Sequence, residues 1–151
     1  MVFGGRGKAA QAESHKSAPV AARNGARIIA VDDDATSRAA MIAVLEEEGY
    51  CVHALSDYAD WDAAWKSGVT ADLLVLDIML SEPQRGGYEI LRALRKLDQH
   101  TPVVMISSRH TPSDEAFAKA SKANAFVSKV QGEFNHPERG LVASVNRLLS
   151  T

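Results

Sequence analysis

Three consecutive acids, Asp32, Asp33 and Asp34, close a short apolar run that starts at Arg27. Asp77 closes a second such run, Ser107 and Ser108 a third, and Lys129 a fourth. Carboxylates gathered in one pocket repel, and left alone they raise a pKa or cost stability. A hard divalent cation removes that cost. Mg²⁺ takes octahedral oxygen coordination and keeps waters alongside one or two carboxylates. An aspartate beside such an ion can attack phosphorus and carry a phosphoryl group. The ion, an ammonium and a hydroxyl would then neutralise the three equatorial oxygens in flight.

These groups can meet only if the apolar runs lie side by side. Arg27 to Val31, Asp72 to Leu76 and Pro102 to Ile106 are apolar without alternation, which implies strands buried on both faces. Tyr50 to Leu55 and Ala125 to Val127 read as two further strands. Helical periods separate them. Ser37 to Glu48 carries Met41, Val44 and Leu45 on one face and stops at Gly49, a suitable C′ residue. Tyr58 to Ser67 sets Trp61 and Trp65 one turn apart, and Tyr88 to Leu97 sets Ile90, Leu91, Leu94 and Leu97 on one face. Thr111-Pro112-Ser113-Asp114 resembles a capping box with proline at N1, opening a helix to about Lys122. Leu141, Val142, Val145, Leu148 and Leu149 form the stripe of a final helix.

Five strand–helix units of this kind predict a parallel sheet with helices on both faces and right-handed crossovers. The chain is too short for an eight-unit barrel. A flavodoxin-like, doubly wound (βα)5 fold remains, an α/β architecture with strand order 2-1-3-4-5 and ligands at the carboxyl ends of the strands. In that order the first, third, fourth and fifth strands are neighbours, so their polar ends share one edge.

Composition sets the outer bounds. A length of 151 residues suits one domain, and 46% apolar with 24% charged residues is globular. With 17 Lys+Arg against 19 Asp+Glu the net charge is −2, which favours neither nucleic acid nor an anionic membrane as the main partner. No apolar run approaches the roughly 18 residues of a spanning helix. The basic N-terminus lacks the apolar region of a secretory signal, so the expected location is the cytoplasm. Residues 1–25 are rich in Gly, Ala and Ser, with Arg6, Lys8, Lys16 and Arg23 against Glu13, and read as a flexible tail or leader. The folded domain is expected over 26–151.

Plain structural roles exist for each polar residue taken singly. Asp34 suits a helix N-cap ahead of Ala35. Asp77 alone suits a turn, Ser107 a strand-end hydroxyl and Lys129 a solvated surface. Their joint occurrence at four strand ends is what these roles leave unexplained. Trp61 and Trp65 read as packing residues. Cys51, the lone cysteine, reads as an inert core residue and excludes an intrachain disulfide or a four-cysteine zinc site. The histidines show no metal-ligand spacing.

The segments IIAVDDDATSR (Ile28 to Arg38), LLVLDIML with GGYEIL (Leu73 to Leu91), VVMISS (Val103 to Ser108) and ANAFVSK (Ala123 to Lys129) together resemble the response-regulator receiver domain of two-component signalling. The resemblance spans residues 27 to 149. It implies that Asp77 accepts a phosphoryl group from a histidine kinase or a histidine phosphotransfer protein. It implies that Asp33 ligates Mg²⁺ directly, Asp32 through water, and that Asp77 and the Met79 carbonyl complete the protein ligands. Ser107 and Lys129 would bind phosphoryl oxygens, and Phe126 matches the aromatic switch position. The implied activity is no enzyme in the ordinary sense, only Mg²⁺-dependent self-phosphorylation and slow autodephosphorylation. The surface expected to change runs from about Thr111 to Leu149, over the fourth helix, fifth strand and last helix.

Three departures from the family pattern stand out. Ser81 replaces a proline, the loop Pro83 to Gly87 holds two extra residues, and Val130 replaces the proline after the lysine. Other readings compete. Asp32-x-Asp34-x-Thr36 also matches the first motif of haloacid-dehalogenase-like phosphatases, with Asp32 as nucleophile. That family needs a downstream acidic pair, and after Lys129 only Glu133 and Glu138 remain, neither at a strand end. A flavin or nucleotide binder needs a phosphate-cradling loop where this chain has three acids. A receiver that docks without phosphorylation is a further alternative. With no second domain evident, the expected mode of action is docking to a downstream protein, without direct contact to nucleic acid or membrane.

Overall fold

The strongly apolar runs form the centre of a five-stranded sheet in a computed structural model that describes residues 25–78, 86–109 and 111–150. The strands are β1 (Arg27–Val31), β2 (Cys51–Leu55), β3 (Leu73–Asp77), β4 (Val103–Ser107) and β5 (Ala125–Ser128). All are parallel, in the order β2-β1-β3-β4-β5. Between and after them come helices α1 (Ala35–Glu47), α2 (Tyr58–Lys66), α3 (Gly87–Leu97), α4 (Pro112–Ala120) and α5 (Leu141–Leu149). This is the expected doubly wound arrangement.

Strand alternation sorts the core into two layers. Ile29, Val31, Leu74, Leu76, Val103 and Met105 point to one face and meet Trp61 of α2, Ile90, Leu91 and Leu94 of α3, and Ala118 of α4. Ile28, Ala30, Leu73, Val75, Val104, Ile106 and Val127 point to the other and meet Met41 and Leu45 of α1 and Leu141 and Val145 of α5. Every residue of β3 and β4 is buried. Each large apolar side chain removed from water contributes roughly 1.5–3 kcal/mol. That burial anchors the strand ends that carry Asp77 and Ser107.

Local signals set the helix ends. Thr111 caps α4, its Oγ1 accepting the Asp114 N–H at 3.1 Å with Pro112 at N1. Gly49, at φ +99°, ends α1. Helix α4 stops at Ala120, two residues before the expected end. Ser121 is its C-cap, and Lys122 takes the left-handed conformation at φ +75°. The Ala123 N–H then bonds the Ala118 carbonyl and the Lys122 N–H the Lys119 carbonyl, which closes the helix as a Schellman turn.

Two packing expectations need correction. Leu97 is 72% exposed, although it continues the phase of Ile90 and Leu94. It occupies the last position of α3, beyond the cover of the core cluster. Cys51 is exposed rather than core. It starts β2, an edge strand that among the described residues pairs only with β1 and is covered incompletely. The tryptophans pack as expected: Trp61 is buried and stacks on Trp65 at 5.9 Å. The expected tail lies outside the described residues except for Gly25, whose N–H donates to the Gly49 carbonyl.

After β5 the chain makes an unexpected ordered excursion over residues 130–140 before α5. Arg139 clamps Glu133 through two bonds of 2.6 and 2.8 Å, and His136 Nδ1 accepts the N–H groups of Glu138 and Arg139. This pairing occupies Glu133, one of the two late acids.

Candidate functional site

Four strand ends deliver side chains to one edge of the sheet. After β1 the chain turns into α1, and Asp34 makes that turn as N-cap, accepting the Ser37 N–H at 2.8 Å. Asp32 and Asp33 remain to face Asp77, the last residue of β3. Carboxylate oxygens of all three lie within 4.8 Å of one another. Asp32 is fully buried, Asp77 is 3% exposed and Asp33 is half-buried.

Lys129 joins this group from the far side of β4. Its backbone N–H bonds the Ser107 carbonyl at 2.8 Å, extending the β4–β5 ladder to the sheet edge. From there its Nζ reaches Asp32 Oδ2 at 2.8 Å and Asp77 Oδ2 at 2.9 Å. One ammonium thus spans two buried carboxylates. Asp32 is also held by the Ser37 hydroxyl at 2.5 Å and the Asp34 N–H at 2.9 Å, while Arg38 donates to its backbone carbonyl at 2.8 Å. Burial pushes the Asp32 carboxyl up, but its bonds from Lys129, Ser37 and Asp34 outweigh that, and the net shift is downward. Burial likewise opposes charge on Lys129, yet its bonds to Asp32 and Asp77 hold its pKa above the ordinary lysine value.

Asp33 has no hydrogen-bond or ion-pair partner among the described residues. The donor set around it is all oxygen and net negative, which suits a hard divalent cation. The same geometry disfavours Asp32 as a free nucleophile. Its Oδ2 is engaged by both a hydroxyl and an ammonium, and the residue has no exposure to solvent.

Ser107 closes β4 one residue beyond Ile106, the register partner of Asp77. It is buried, and its Oγ accepts the Arg109 N–H at 3.0 Å. That bond leaves the hydroxyl proton available. Ser108 is exposed. Phe126 is half-buried on β5 opposite Met105, packed at the edge of the core layer under α4. Met79 and Ser81 lie outside the described residues, as does most of the loop with two extra residues.

The end of that loop adds a feature absent from the residue-type reading. A Cβ on Gly87 would stand 2.4 Å from the Asp77 carbonyl oxygen, and one on Gly86 would stand 2.7 Å from the Ile78 carbonyl oxygen. Two glycines therefore let α3 start directly against the end of β3. Ser37 and Arg38 also belong to the site, although their residue types alone do not point to it. Their signal was position: first-turn helix residues directly after the acids.

The response regulator receiver domain family matches residues 28–135. The chain is 32% identical over 145 residues to the alkaline phosphatase synthesis transcriptional regulatory protein SphR of Synechococcus elongatus, covering 91% of this chain and 54% of that one. It is 32% identical over 123 residues to the transcriptional regulatory protein CpxR of Escherichia coli, covering 82% and 49%. The chain spans about half the length of these curated relatives. The BeF3-activated DrrB receiver domain superposes with a TM-score of 0.70 at 25% identity, over 84% of this chain and 99% of that one.

Proposed function

The chain belongs to the response-regulator receiver family, and on that premise we propose that Asp77 accepts a phosphoryl group from a phosphohistidine on a kinase or phosphotransfer protein. The observation that carries this reading is the Lys129 ammonium bonded to both Asp32 and Asp77, with Asp33 unpartnered beside them.

In the transfer, an Asp77 carboxylate oxygen attacks phosphorus. The P–N bond to the donor imidazole breaks, and its electron pair returns to the ring nitrogen, which takes up a proton. Lys129 fixes Asp77 through Oδ2 and stands ready to pair with a phosphoryl oxygen. Ser107 can turn its free hydroxyl proton to another. Asp33 and Asp77, with Asp32 behind them, would hold Mg²⁺, which supplies positive charge to the transferring oxygens. Buried Asp32, its pKa lowered, stays ionised at neutral pH and keeps that charge matched.

The modified carboxylate would then bias the segment from Thr111 to Leu149, where α4, β5 and α5 present a docking face to a downstream protein. A partner kinase acting from the cytoplasm is the setting this chemistry implies.

Intact mass after incubation with acetyl phosphate and Mg²⁺ tests the reading. One hydroxylamine-labile addition of about 80 Da, the mass of one phosphoryl group, is expected on the wild type and none on Asp77→Asn. Equal modification of Asp77→Asn, or no modification of the wild type, overturns it. Steady phosphate release from varied monoesters, lost in Asp32→Asn, would support the phosphatase reading instead.

A further inference from the structure

Helix α4 has two flanks. Glu115, Ala118 and Lys119 look toward β5 and α5. Phe117, Ala120 and Ser121 look the other way and, with α3, enclose a groove of about 530 Å³. The second flank turns toward α3, away from the β5 and α5 surfaces that complete the docking face of the phosphoacceptor reading.

The groove is graded along its length. At one end Tyr88 and Phe117 meet edge to face, 4.6 Å apart, and Phe117 is 54% exposed. Toward the other end stand Arg92, Lys96 and Lys122, all exposed, and no carboxylate lines the groove among the described residues. Arg92 pairs with Glu89 at 2.6 Å, but Lys96 and Lys122 have no ion pair among the described residues. A cationic groove on an acidic protein is a charge anomaly that calls for an anionic occupant.

Lys122 supplies a second, independent sign. Its left-handed backbone is the conformation glycine adopts freely and lysine does not. Its carbonyl is fixed by the Nε and Nη2 of buried Arg95, at 3.3 and 3.0 Å, and Arg95 also donates to the carbonyls of Asp98 and Thr101. The turn is thus held by an inward clamp while a strained residue carries an ammonium outward. Strain of this kind marks positions where the side chain matters.

We infer that the α3–α4 groove docks an acidic protein segment carrying an aromatic or aliphatic side chain. The apolar side chain seats against Tyr88 and Phe117, and the following acids meet Lys96 and Lys122. A peptide fits better than a small phosphate ligand. The cations sit apart, one on α3 and one in the turn after α4, no glycine loop or convergent backbone N–H groups form a cradle among the described residues, and the lining along α3 from Tyr88 to Lys96 is about 12 Å long, room for three or four extended residues.

Selection of phage-displayed random peptides on the full chain, followed by amide chemical-shift mapping of the synthetic consensus peptide, tests this. Enriched peptides should pair an apolar side chain with a run of acids and shift amides of residues 88–99 and 117–122. Lys96→Gln and Lys122→Gly should each weaken binding about two- to fivefold, the worth of one exposed ion pair. Phe117→Ser should cost about tenfold, as an anchor residue does. Lys122→Gly keeps the turn, so its loss of binding reads the ammonium alone. Basic or neutral consensus peptides, shifts confined to other faces, an empty selection, or unchanged binding by Lys122→Gly and Phe117→Ser would each overturn the proposal. Displacement of the peptide by inorganic phosphate, with the same groove amides shifted, would reassign the groove to a small anion. Self-association on sedimentation, abolished by Phe117→Ser, would reassign it to a second copy of the chain.

Discussion

Gly87 approaches the backbone of Asp77 so closely that a Cβ there would lie 2.4 Å from the Asp77 carbonyl oxygen. The contact sets the start of α3 against the end of β3. The Asp77 carboxylate is therefore positioned through its main chain as well as through Lys129.

Gly87→Ala should destabilise the domain by about 1–3 kcal/mol, the usual cost of forcing atoms into a packed site. Urea denaturation should show a lower midpoint with an unchanged slope. A midpoint equal to that of the wild type would mean that α3 shifts away from β3 at no cost.

The Lys129 bridge carries a pH signature. The folded pKa of Asp32 is below its ordinary 3.8, so its contribution is complete above that value and fades as pH falls through the folded pKa. The folded pKa of Lys129 is above its ordinary 10.5, so its contribution is complete below that value and fades as pH rises through the folded pKa. Lys129→Met strands two buried carboxylates and should cost about 3–5 kcal/mol near neutrality. Stranded acids take up protons more readily, so the deficit should narrow on acidification toward about pH 5. Denaturation curves at both pH values decide it, and a constant deficit would separate the ammonium from the acids.

Asp33 contributes repulsion with nothing to offset it among the described residues. Asp33→Asn should leave the metal-free domain as stable as the wild type or more so, by about 1 kcal/mol at most for a half-exposed charge. It should also remove stabilisation by Mg²⁺. For the wild type, a hundredfold excess over Kd corresponds to about 2.7 kcal/mol. Calorimetry with and without Mg²⁺ reads both effects. A wild-type melt insensitive to Mg²⁺ counts against a shared metal site.

In the proposed function, Ser107 is the group that would link Asp77 to the α4–β5–α5 face. A beryllofluoride–Mg²⁺ phosphoryl mimic should draw its hydroxyl toward Asp77, move the loop after β4 and let Phe126 turn inward. Amide shifts should extend to Phe126 and α5 in the wild type. In Ser107→Ala they should stay near Asp32, Asp33 and Asp77. Confinement in the wild type as well would mean that the acceptor does not signal to that face.

Much of this architecture was legible because burial leaves a simple trace. IIAV, LLVL and VVMI are unbroken apolar runs, and only a central parallel sheet buries both faces of such strands. The polar residues that end them followed directly. Three-dimensional extent was less visible. Leu97 keeps the helical phase of Ile90 and Leu94, but phase does not reveal that α3 ends beyond its cover. Cys51 reads as core until the edge position of β2 is known. Gly86 and Gly87 looked like loop residues because a close approach to a carbonyl leaves no mark in residue type. The ordered turn around Glu133 and Arg139 was hidden for a related reason, since its pairing depends on the chain doubling back.

The charge that stabilises Asp32 comes from Lys129, 97 residues further along, and 52 residues beyond Asp77. A ribosome adding 5–20 residues per second exposes Asp77 about 3–10 s, and Asp32 about 5–19 s, before their counter-ion emerges. Until then the ends of β1 and β3 would have to bury Asp32 and Asp77 without the ammonium, and β4 would present an open edge. The early strands therefore gain little by settling first. Vectorial synthesis delivers β1 and β3 before the ammonium that pairs with their terminal carboxylates. The pocket that joins Asp32, Asp77 and Lys129 is therefore assembled late in synthesis, from groups far apart in the chain.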